Sequence, residues 1–461
     1  MALTENAFKL LHQQQLARFQ GKISGPPPSF PLGNAGSFLG SNPWVPAMTW
    51  IEEYGDLVLI WIGSNPALLL NDPDLIGELL VKNGPDFYKD SPRPQLLPVT
   101  TDSSCFIANG EAWRDKREAH PFSAQSFRDW MISQLPILRH QTRISAQDLM
   151  RRSTEDDLDF RKTMEKVTFD GFAVMAVGET LDQQAYKDFQ CVADEGSRRM
   201  ASPIQLPDIN PIFHRARKRW FAVFDQYMHS ETCLQGTNLV AKFLPDTAYT
   251  EEDFCTEVAN IFPAGIFSTT SAVMHTLYML HKHPDHLAEV RRALDELGPE
   301  PTWPELSACD ALRFALYEAM RLYPGAPFFM RNVRVDSPLD FGGVTWPANT
   351  TVFITPKALH RNREFWGENA NDFVPSRWHE MEAKAPIGSA YYWPFGRGPR
   401  ECLGKYLALF YAMTVLQICI QEYELIFSEN SAEEGFYFAC LVCEGLTVRF
   451  AERVVPRSRG W

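Results

Sequence analysis

The segment from Trp393 to Gly404 constrains this chain of 461 residues more than any other stretch of its sequence. Two glycines and two prolines lie close together before Cys402, and an apolar-periodic run continues from Leu403 to about Ile420. Glycine and proline favour tight turns, whereas a periodic apolar run favours a helix. The segment therefore predicts a tight loop that leads a cysteine to the N-terminus of a helix.

Cys402 is the candidate metal ligand of the chain. A helix N-terminus carries partial positive charge and free N–H groups, so it stabilises a thiolate over a thiol. A thiolate is a strong ligand for soft metals, and a single thiolate can supply the axial bond of a haem iron. The alternative is a buried structural cysteine, but that interpretation leaves the surrounding glycines and Arg400 without a role.

The segment resembles the cysteine-ligand loop of the cytochrome P450 family, whose pattern is Phe-Gly-x-Gly-x-Arg-x-Cys-x-Gly. The fixed positions of that pattern are filled by Phe395, Gly396, Gly398, Arg400, Cys402 and Gly404. The resemblance implies haem b (iron protoporphyrin IX), with Cys402 on the iron and with Phe395, Arg400 and Gly404 in the cofactor site. It also implies a mainly α fold with a small β region, in which the haem lies between a long central helix and the cysteine-loop helix.

Composition limits the other classes of function. The hydrophobic fraction of 45% is ordinary for a globular protein with a large core, and the net charge of −13 argues against a nucleic-acid partner. Nine scattered cysteines fit a reducing compartment better than a disulfide framework. Residues 1–24 are predicted to be a polar N-terminal tail, and residues 25–461 a single haem-thiolate catalytic domain.

The sequence contains no apolar run of about 20 residues and no signal-peptide core, so no membrane span is predicted. Members of the family in animals, plants and fungi usually carry a membrane anchor. The resemblance therefore implies a soluble member of the bacterial type, cytoplasmic and monomeric. A truncated form of an anchored protein is the alternative.

Patterns along the chain predict several elements. Leu57–Ile62 and Ala67–Leu70 predict a hairpin, and the stretch from Phe341 to Ile354 predicts a strand pair. The proline-containing segment at about 84–109 predicts a long loop, which the resemblance places over the distal haem face. Residues 123–250 are predicted to be largely helical, and the stretch 198–219 resembles the mobile cover of the active site in the family.

Trp113 and Arg117 follow Gly110 at a spacing of i, i+4, which places them on one face of a predicted helix. An ordinary amphipathic helix start gives the same pattern. The resemblance implies that both contact the haem propionates, since two buried carboxylates need cationic or N–H partners. Arg331, in an expected strand, is assigned the same role by the resemblance.

The stretch from Thr250 to Lys282 predicts a helix of about 32 residues, or about 48 Å at 1.5 Å per residue. It resembles the family helix that passes over the distal haem face. Pro263 removes one helix N–H and is expected to kink it.

The middle of this helix departs from the family pattern Ala-Gly-x-Asp/Glu-Thr-Thr, in which small residues admit dioxygen and an acid–alcohol pair relays protons. If Gly265 and the alanine before it set the register, Phe267 occupies the acid position and Ser268 the alcohol position. If the following hydroxyl cluster sets the register, those positions hold Ser268 and Thr269. No carboxylate is present in either case, and Gly265, Ser268 and Thr269 are the candidate catalytic residues.

Two interpretations of the activity follow from the missing acid. The favoured one is a monooxygenase that uses Ser268 or Thr269 with ordered water to insert oxygen from O2. The alternative is a redox-neutral or peroxide-driven enzyme, namely an isomerase, dehydratase or peroxygenase. A more remote alternative is a haem-binding sensor or carrier without catalysis.

The expected substrate is a small apolar molecule: a lipid, terpenoid, steroid or aromatic metabolite. The candidate pocket walls are Phe262, Phe267, Phe328, Phe329 and Phe436. No flavin or nicotinamide domain is fused, so a separate ferredoxin or flavodoxin-type partner is expected to supply electrons. Its candidate basic dock consists of Arg114, Lys116, Arg397 and Lys405, although a scatter of solvated charges explains these four equally well.

Glu318 and Arg321 match the Glu-x-x-Arg motif of the family, and Arg377 lies in a stretch that resembles its second arginine motif. Together they imply a buried charge triad beneath the cysteine loop, with a structural role in folding and haem retention. His360 is interpreted as a structural hydrogen-bonding histidine. Residues 435–450 predict a closing hairpin whose tip enters the pocket.

Overall fold

Helices dominate the computed structural model, in agreement with the predicted fold class. It describes residues 22–39, 42–82, 87–89, 99–100, 104–123, 125–154, 156–200, 206–231, 238–242, 250–333, 339–428 and 432–454, with single residues 6, 10 and 19. The helices are α1 (Trp44–Tyr54), α2 (Pro73–Gly77), α3 (Gly110–Ala119), α4 (Gln125–Ser133), α5 (Leu135–Arg152), α6 (Phe160–Val177), α7 (Gln183–Met200), α8 (Pro211–Met228), α9 (Glu251–Lys282), α10 (Pro284–Leu297), α11 (Trp303–Ser307), α12 (Asp310–Leu322), α13 (Pro356–Leu359), α14 (Arg363–Trp366), α15 (Trp378–Lys384) and α16 (Lys405–Glu422).

The strands form small sheets beside the helical layers. They are β1 (Leu57–Ile62), β2 (Asn65–Leu70), β3 (Phe87–Tyr88), β4 (Leu158–Asp159), β5 (Phe329–Val333), β6 (Leu339–Phe341), β7 (Val344–Trp346), β8 (Thr351–Ile354), β9 (Tyr423–Phe427), β10 (Glu433–Tyr437), β11 (Cys440–Glu444) and β12 (Thr447–Glu452). One sheet has the order β1-β2-β8-β5-β3, with β2 and β8 parallel and the other neighbours antiparallel. The predicted hairpin is confirmed as the pair β1–β2, although β2 begins at Asn65.

The predicted central helix is confirmed as α9, which runs for 32 residues and continues through Pro263. It packs against α6, α8, α12 and α16 and forms the middle of the main core. Phe262 anchors it, because its ring lies 5.0 Å from Phe172 on α6, 5.2 Å from Trp220 and 5.1 Å from Phe224 on α8. A helix of this length is stabilised mainly by such burial, since each buried aromatic side chain contributes roughly 1.5–3 kcal/mol.

Helix α16 is apolar on every side and runs through the core beside α9. Every residue from Phe410 to Gln421 is buried. A helix that is apolar all round must be enclosed by protein, so its position is fixed by its neighbours. The loop that carries Cys402 therefore enters the molecule at the first turn of a rigid core helix.

Two strand predictions differ from the structure in their partners. The closing hairpin is confined to β10 and β11, with its tip at Phe438 and Ala439, whereas β12 pairs with β9 and β4. Of the strand pair predicted near 341–354, β6 and β7 pair with each other, while β8 joins the larger sheet. The partners of β8 and β12 are strands from other parts of the chain, and local sequence patterns do not encode such pairing.

Two predicted segments are described only in part. Of residues 84–109, the parts outside the described ranges are 84–86, 90–98 and 101–103. Of residues 198–219, residues 201–205 are outside them, and the described flanks end α7 and begin α8. The predicted N-terminal tail also lies almost entirely outside the described residues.

Candidate active site

The cysteine loop is held in shape by its own backbone. The Cys402 N–H donates to the Phe395 carbonyl at 2.8 Å. Gly398 has φ of +77°, and a Cβ at that position would lie 2.1 Å from the carbonyl oxygen of Leu80. Only glycine permits both the positive φ and this close approach, so the loop packs directly on the backbone at Leu80. Helix α16 begins at Lys405 with Gly404 as its N-cap, which confirms the predicted order of loop, cysteine and helix.

The electrostatics of Cys402 differ from the expectation based on the helix N-terminus alone. The Cys402 side chain is accessible to solvent from one side, but the protein packed around it desolvates the thiol and raises its pKa. The Gly404 N–H and the Arg117 charge lower the pKa without outweighing burial. A metal cation bound to Cys402 would supply the missing compensation, because coordination deprotonates a thiol outright.

Beside the loop lies a cavity of about 360 Å³ with a strongly cationic lining. Its lining residues are Leu79, Leu80, Tyr88, Gly110, Trp113, Arg114, Arg117, Glu118, Arg331, Arg397, Pro399 and Arg400. All four predicted propionate contacts, on α3, β5 and the cysteine loop, are therefore brought to one cavity. Five arginines line it against a single glutamate.

Arg331 and Lys89 show the imbalance of charge in this region. The Arg331 guanidinium donates to the Met330 carbonyl at 2.9 Å, and burial together with the like charge of Arg400 lowers its pKa to about 9. Lys89 donates to the Phe106 carbonyl at 2.8 Å, and burial followed by the charges of Arg331 and Arg400 holds its pKa well below its usual value. Sequence reasoning missed Lys89, which belongs to no motif.

Arg117 and Arg400 complete the cationic group. The Arg117 guanidinium donates to the Glu401 carbonyl at 2.7 Å, which ties α3 to the cysteine loop. The Arg400 guanidinium donates to the Ala108 carbonyl at 3.0 Å and lies 4.2 Å from the centre of the Trp113 ring.

These cations fit a dianionic cofactor. In the described part of the chain, no carboxylate forms an ion pair with Lys89, Arg117 or Arg331. Clustered cations in a low-dielectric site repel one another and are stable only when a counter-charge is present. The two propionates of a haem would provide it, next to a cysteine that can bind the iron.

The predicted charge triad forms beneath the loop. The Glu318 carboxylate accepts from Arg321 Nη2 at 2.8 Å and from Arg377 Nε at 2.9 Å. It also accepts from Trp378 Nε1 at 3.0 Å and from the Val374 N–H at 3.0 Å. The carboxylate and the Arg321 side chain are fully buried, so the network joins α12 to the segment around residue 377 inside the core.

His360 links this triad to the cysteine loop. Its carbonyl accepts from Arg321 at 2.7 Å, and its Nε2 accepts from the Trp393 N–H at 3.1 Å. Burial and nearby arginine charges lower the pKa of His360 to about 3, so the ring is a neutral acceptor. The geometry agrees with the predicted structural role.

On the distal side, the structure favours the first of the two predicted registers. Ala264 is exposed and Ser268 half-buried, one turn apart on the same side of α9, and Ser268 Oγ donates to the Ala264 carbonyl at 2.8 Å. Phe267 and Thr269 are both buried. Ser268 therefore occupies the open position, and Phe267 stands where the family has an acid.

Gly265 serves close packing rather than an opening for dioxygen. A Cβ there would lie 2.8 Å from Phe172 Cε2, so the missing side chain faces α6. The candidate catalytic role given to Gly265 is therefore not supported by its orientation. A helix brings only one side to the groove, and Gly265 is on the adjacent side.

The five predicted pocket walls do not lie in one pocket. Phe262 is fully buried between helices, as described above. Phe267 is enclosed by aromatic rings, with centroids 5.3 Å from Phe189, 5.2 Å from Tyr437 and 5.0 Å from Phe438. Both belong to the helical core, so neither lines an open wall.

The remaining three phenylalanines divide between two sides of the large sheet. Phe328 stacks on Phe436 at 5.7 Å. Phe329 packs against Trp393 at 5.6 Å and under the Arg331 guanidinium at 4.8 Å. Neighbouring residues in extended chain point in opposite directions, so only the pair Phe328–Phe436 remains as a shared wall.

The four cations of the predicted partner dock also differ in their surroundings. Lys405 pairs with Glu401 at 3.2 Å. Arg397 lines the cavity and lies against Gly77, and Lys116 is half-buried, whereas Arg114 is exposed. They therefore do not form one uniform exposed patch.

The fold and the site define a class of protein: mainly helical, with a cysteine at the start of a core helix and a cationic cofactor cavity beside it. The sequence model of the cytochrome P450 family matches residues 24–440, so the chain belongs to the cytochrome P450 family. The family implies a haem cofactor, and the chain is a monooxygenase that uses O2 and a redox partner.

Curated relatives include plant proteins at low identity. The cytokinin hydroxylase of Arabidopsis thaliana is 24% identical, over 83% of this chain and 78% of the relative. The 11-oxo-beta-amyrin 30-oxidase of Medicago truncatula is 25% identical, over 84% and 78%. Cytochrome P450 734A1 of Arabidopsis thaliana is 24% identical, over 87% and 84%. These relatives do not support the predicted bacterial type. Within the described ranges, no helix has the length and apolar character that a membrane span needs.

Proposed function

We propose that the Cys402 thiolate binds the iron of haem b and that the enzyme inserts one oxygen atom from O2 into an apolar organic substrate. The observation that carries this proposal is the group of cations beside the Cys402 loop, in which Arg331 is buried and Lys89 and Arg117 are half-buried. Lys89, Arg117 and Arg331 have no carboxylate partner among the described residues. A cofactor with two carboxylates and an iron atom satisfies the cations and the cysteine together.

The residues around the cavity have separate tasks in this proposal. Arg117, Arg331 and Arg400 bind the propionates, and Trp113 supports Arg400 through its ring. The Phe395 carbonyl fixes the backbone of Cys402, and the Gly404 N–H donates to its sulfur. When bound, the haem-thiolate group supplies oxygen activation and oxygen insertion.

Ser268 is the proposed distal hydroxyl. Its proton is donated to the Ala264 carbonyl, so the lone pairs of Ser268 Oγ are directed to the open side, where they can accept a proton from water. Thr269 is buried on the neighbouring face and supports the helix rather than the groove.

The substrate is proposed to be a lipid, terpenoid, steroid or aromatic metabolite that packs against the Phe328–Phe436 pair. Relatives named for a cytokinin and for a β-amyrin derivative define useful probes. Electrons are proposed to come from a separate ferredoxin or flavodoxin-type protein. Cytoplasmic localisation and a monomeric state stay predictions.

The reduced carbonyl spectrum of the haem-loaded protein tests the metal ligand. Wild-type protein is expected to give the red-shifted band of a thiolate ligand, and Cys402→Ser to lose it. Cys191→Ser, a half-buried cysteine on α7, is the control and should keep the band. A histidine-type band in the wild type would show that the chain is a haem-binding sensor or carrier instead.

The propionate contacts are tested by haem retention. Arg331→Gln should lower haem affinity by roughly tenfold or more, since a charge-assisted hydrogen bond contributes about 1.5–3 kcal/mol. Arg151→Gln, at a mostly exposed arginine in a surface pair, is the control. Equal haem affinity of the two variants would contradict the assignment of Arg331.

A screen of apolar ligands narrows the substrate class. β-Amyrin, an isoprenoid cytokinin, testosterone and dodecanoic acid are added to the ferric enzyme, and the shift of the haem spin state is measured. Saturable shifts with one or more of these compounds are expected, because each has an apolar body that fits an aromatic wall. A panel without any shift would contradict the proposed substrate classes.

A second candidate function is favoured by Phe267, an aromatic side chain in the position of the family acid. Without that acid, a redox-neutral or peroxide-driven reaction is the alternative. Turnover of the best panel ligand is compared with O2 plus reductant, with peroxide alone and with neither. Product that forms without reductant or oxidant would refute the monooxygenase proposal, and product only with peroxide would identify a peroxygenase.

A further inference from the structure

A polar stripe runs along α9 away from Ser268. Ser271 and His275 follow it at spacings of three and seven residues, which places all three on one side of the helix. Ser271 and His275 are buried, at 0% and 1% exposure. Burial of a polar side chain costs free energy unless the group is hydrogen-bonded, so the partners of Ser271 and His275 bear on their role.

His275 has one nitrogen satisfied and one without a partner. Its Nδ1 lies 2.8 Å from the Ser271 carbonyl oxygen and 3.4 Å from Ser271 Oγ. A carbonyl only accepts, so Nδ1 carries the proton and Nε2 is an acceptor. Within the described residues Nε2 has no hydrogen-bond partner. Burial lowers the pKa of His275 to about 4, so the ring is neutral, with one donor and one acceptor.

The stripe is covered along its length by the segment that follows α12. The Tyr323 ring stacks on His275 at 4.4 Å and an angle of 10°. Two residues later, a Cβ on Gly325 would lie 3.5 Å from Ser268 Cβ. The segment therefore runs beside the stripe from His275 to Ser268, and it covers the buried part of the stripe, whereas Ser268 stays half-buried.

The outer end of the stripe meets a charged pair that reaches solvent. Lys357 on α13 binds Glu434 on β10 at 2.8 Å, with side-chain exposures of 4% and 35%. The Lys357 ammonium and the Arg361 guanidinium lie 5.3 and 5.7 Å from the centre of the Tyr323 ring, which stacks on His275. Beyond the effect of burial, their charges lower the pKa of His275 and that of Glu434 raises it. Tyr323, Tyr278 and Cys443 are further ionisable groups near this end of the stripe.

We propose that His275 and Ser271 form a proton route from the Lys357–Glu434 pair to Ser268, in place of the carboxylate that Phe267 replaces. This inference rests on the proposed function, in which Ser268 is the distal hydroxyl. His275 and Ser271 act through Ser268 and are positioning residues, because neither touches the substrate or the cofactor.

The route transfers one proton at a time. A proton from solvent, entering beside Glu434, is accepted at His275 Nε2, and the Nδ1 proton passes to Ser271 Oγ. The Ser271 hydroxyl proton then passes to Ser268 through one water, since side chains three residues apart in a helix are about 5–6 Å apart at Cβ, beyond direct hydrogen-bond reach. One proton is taken up for each proton delivered, and exchange of tautomers returns the ring to its starting form.

The route is tested with His275→Phe and Ser271→Ala, using the panel ligand with the largest spin-state shift. His275→Phe keeps an aromatic ring on Tyr323, and Ser271→Ala is the smaller change. Each variant is driven by O2 with reductant and, separately, by hydrogen peroxide, which brings its own protons. The control is Thr276→Val, because Thr276 lies off the stripe and its hydroxyl donates to the Ala272 carbonyl of its own helix at 2.7 Å.

Both stripe variants are expected to give about tenfold less product per electron with O2, with more hydrogen peroxide released and a larger solvent deuterium isotope effect. Their peroxide-driven turnover should change less than twofold. An equal loss under both conditions would show a structural role, and wild-type coupling would refute the route. A failure of the proposed function can be told apart from a failure of the route. If the proposed function is wrong, the wild-type protein lacks the thiolate-type carbonyl band; if only the route is wrong, the band is present.

The outer end of the route has its own matched pair of variants. Glu434→Gln removes the carboxylate beside His275, whereas Glu433→Gln removes the adjacent exposed one on the same strand. Only Glu434→Gln should lower product per electron and shift the pH profile of coupling. Identical profiles for the two variants would remove Glu434 from the route.

Discussion

Glu318→Gln tests how much the buried charge network contributes to stability. The Glu318 carboxylate accepts two bonds from Arg321, at 2.8 and 2.9 Å, and one from Arg377 at 2.9 Å. Trp378 and the Val374 backbone donate two more. Glutamine keeps the size of the side chain but removes the charge and turns one accepting oxygen into a donor that faces other donors.

The expected loss follows from burial. Glu318 and Arg321 are 0% exposed, so solvent does not screen their interaction. Removal of one partner from a buried ion pair costs about 3–5 kcal/mol, because the remaining charge is left without compensation. Two arginines lose their counter-charge here, so the upper half of that range is expected.

The measurement is urea unfolding of the haem-loaded protein, followed by far-UV circular dichroism and by haem absorbance. Glu318→Gln should lower the midpoint by about 1 M urea and release haem at lower urea than wild type. Glu380→Gln is the control, because Glu380 pairs with Lys384 at 3.6 Å with exposures of 81% and 64%, and should change stability by less than about 1 kcal/mol. Equal midpoints for the two variants would refute the reasoning.

Three further variants test local features of the site. Gly398→Ala should reduce bound haem per protein, measured by absorbance, because its Cβ meets the Leu80 carbonyl; Gly388→Ala, with φ of +94° and open space, should keep haem. Gly265→Ala should lower unfolding free energy in urea by about 1–3 kcal/mol through overpacking, while the carbonyl spectrum stays unchanged. Burial lowers the pKa of Lys357 to about 8 in the folded protein, whereas the pKa in the unfolded chain is 10.5. The unfolded chain therefore binds the proton more tightly than the folded protein. The stability of wild type relative to Lys357→Met should therefore rise by up to about 3 kcal/mol between pH 8 and 10.5, and a difference independent of pH would contradict this.

The cysteine loop and the triad were predictable because their signals are local. Gly398 marks a backbone conformation that only glycine adopts easily, and Cys402 follows it at a fixed spacing. Helix α9 was predictable in both position and length, because an apolar period over such a stretch has no other common explanation. Glu318 and Arg321 lie one turn apart on a predicted helix, so their contact is also local.

The distal and substrate residues were harder to predict because their roles depend on direction. Phe262 and Phe267 were expected to line a pocket, yet they face other helices. Phe328 and Phe329 are adjacent in sequence but contact different clusters. A residue type indicates what a side chain can contact, whereas the packing of distant elements decides what it does contact.

The sequence by itself determined the family, the haem-binding cysteine proposed here and the absence of a carboxylate at the distal position. The tertiary structure decided that Ser268 is the open hydroxyl, that Lys89 lies near the arginines of the cationic cavity, and that Ser271 and His275 extend a polar stripe from Ser268. The physical reason is the range of the interactions. Turn conformation and helix periodicity act over a few residues, but burial, charge and the pKa shifts that follow depend on elements that meet only in the folded chain.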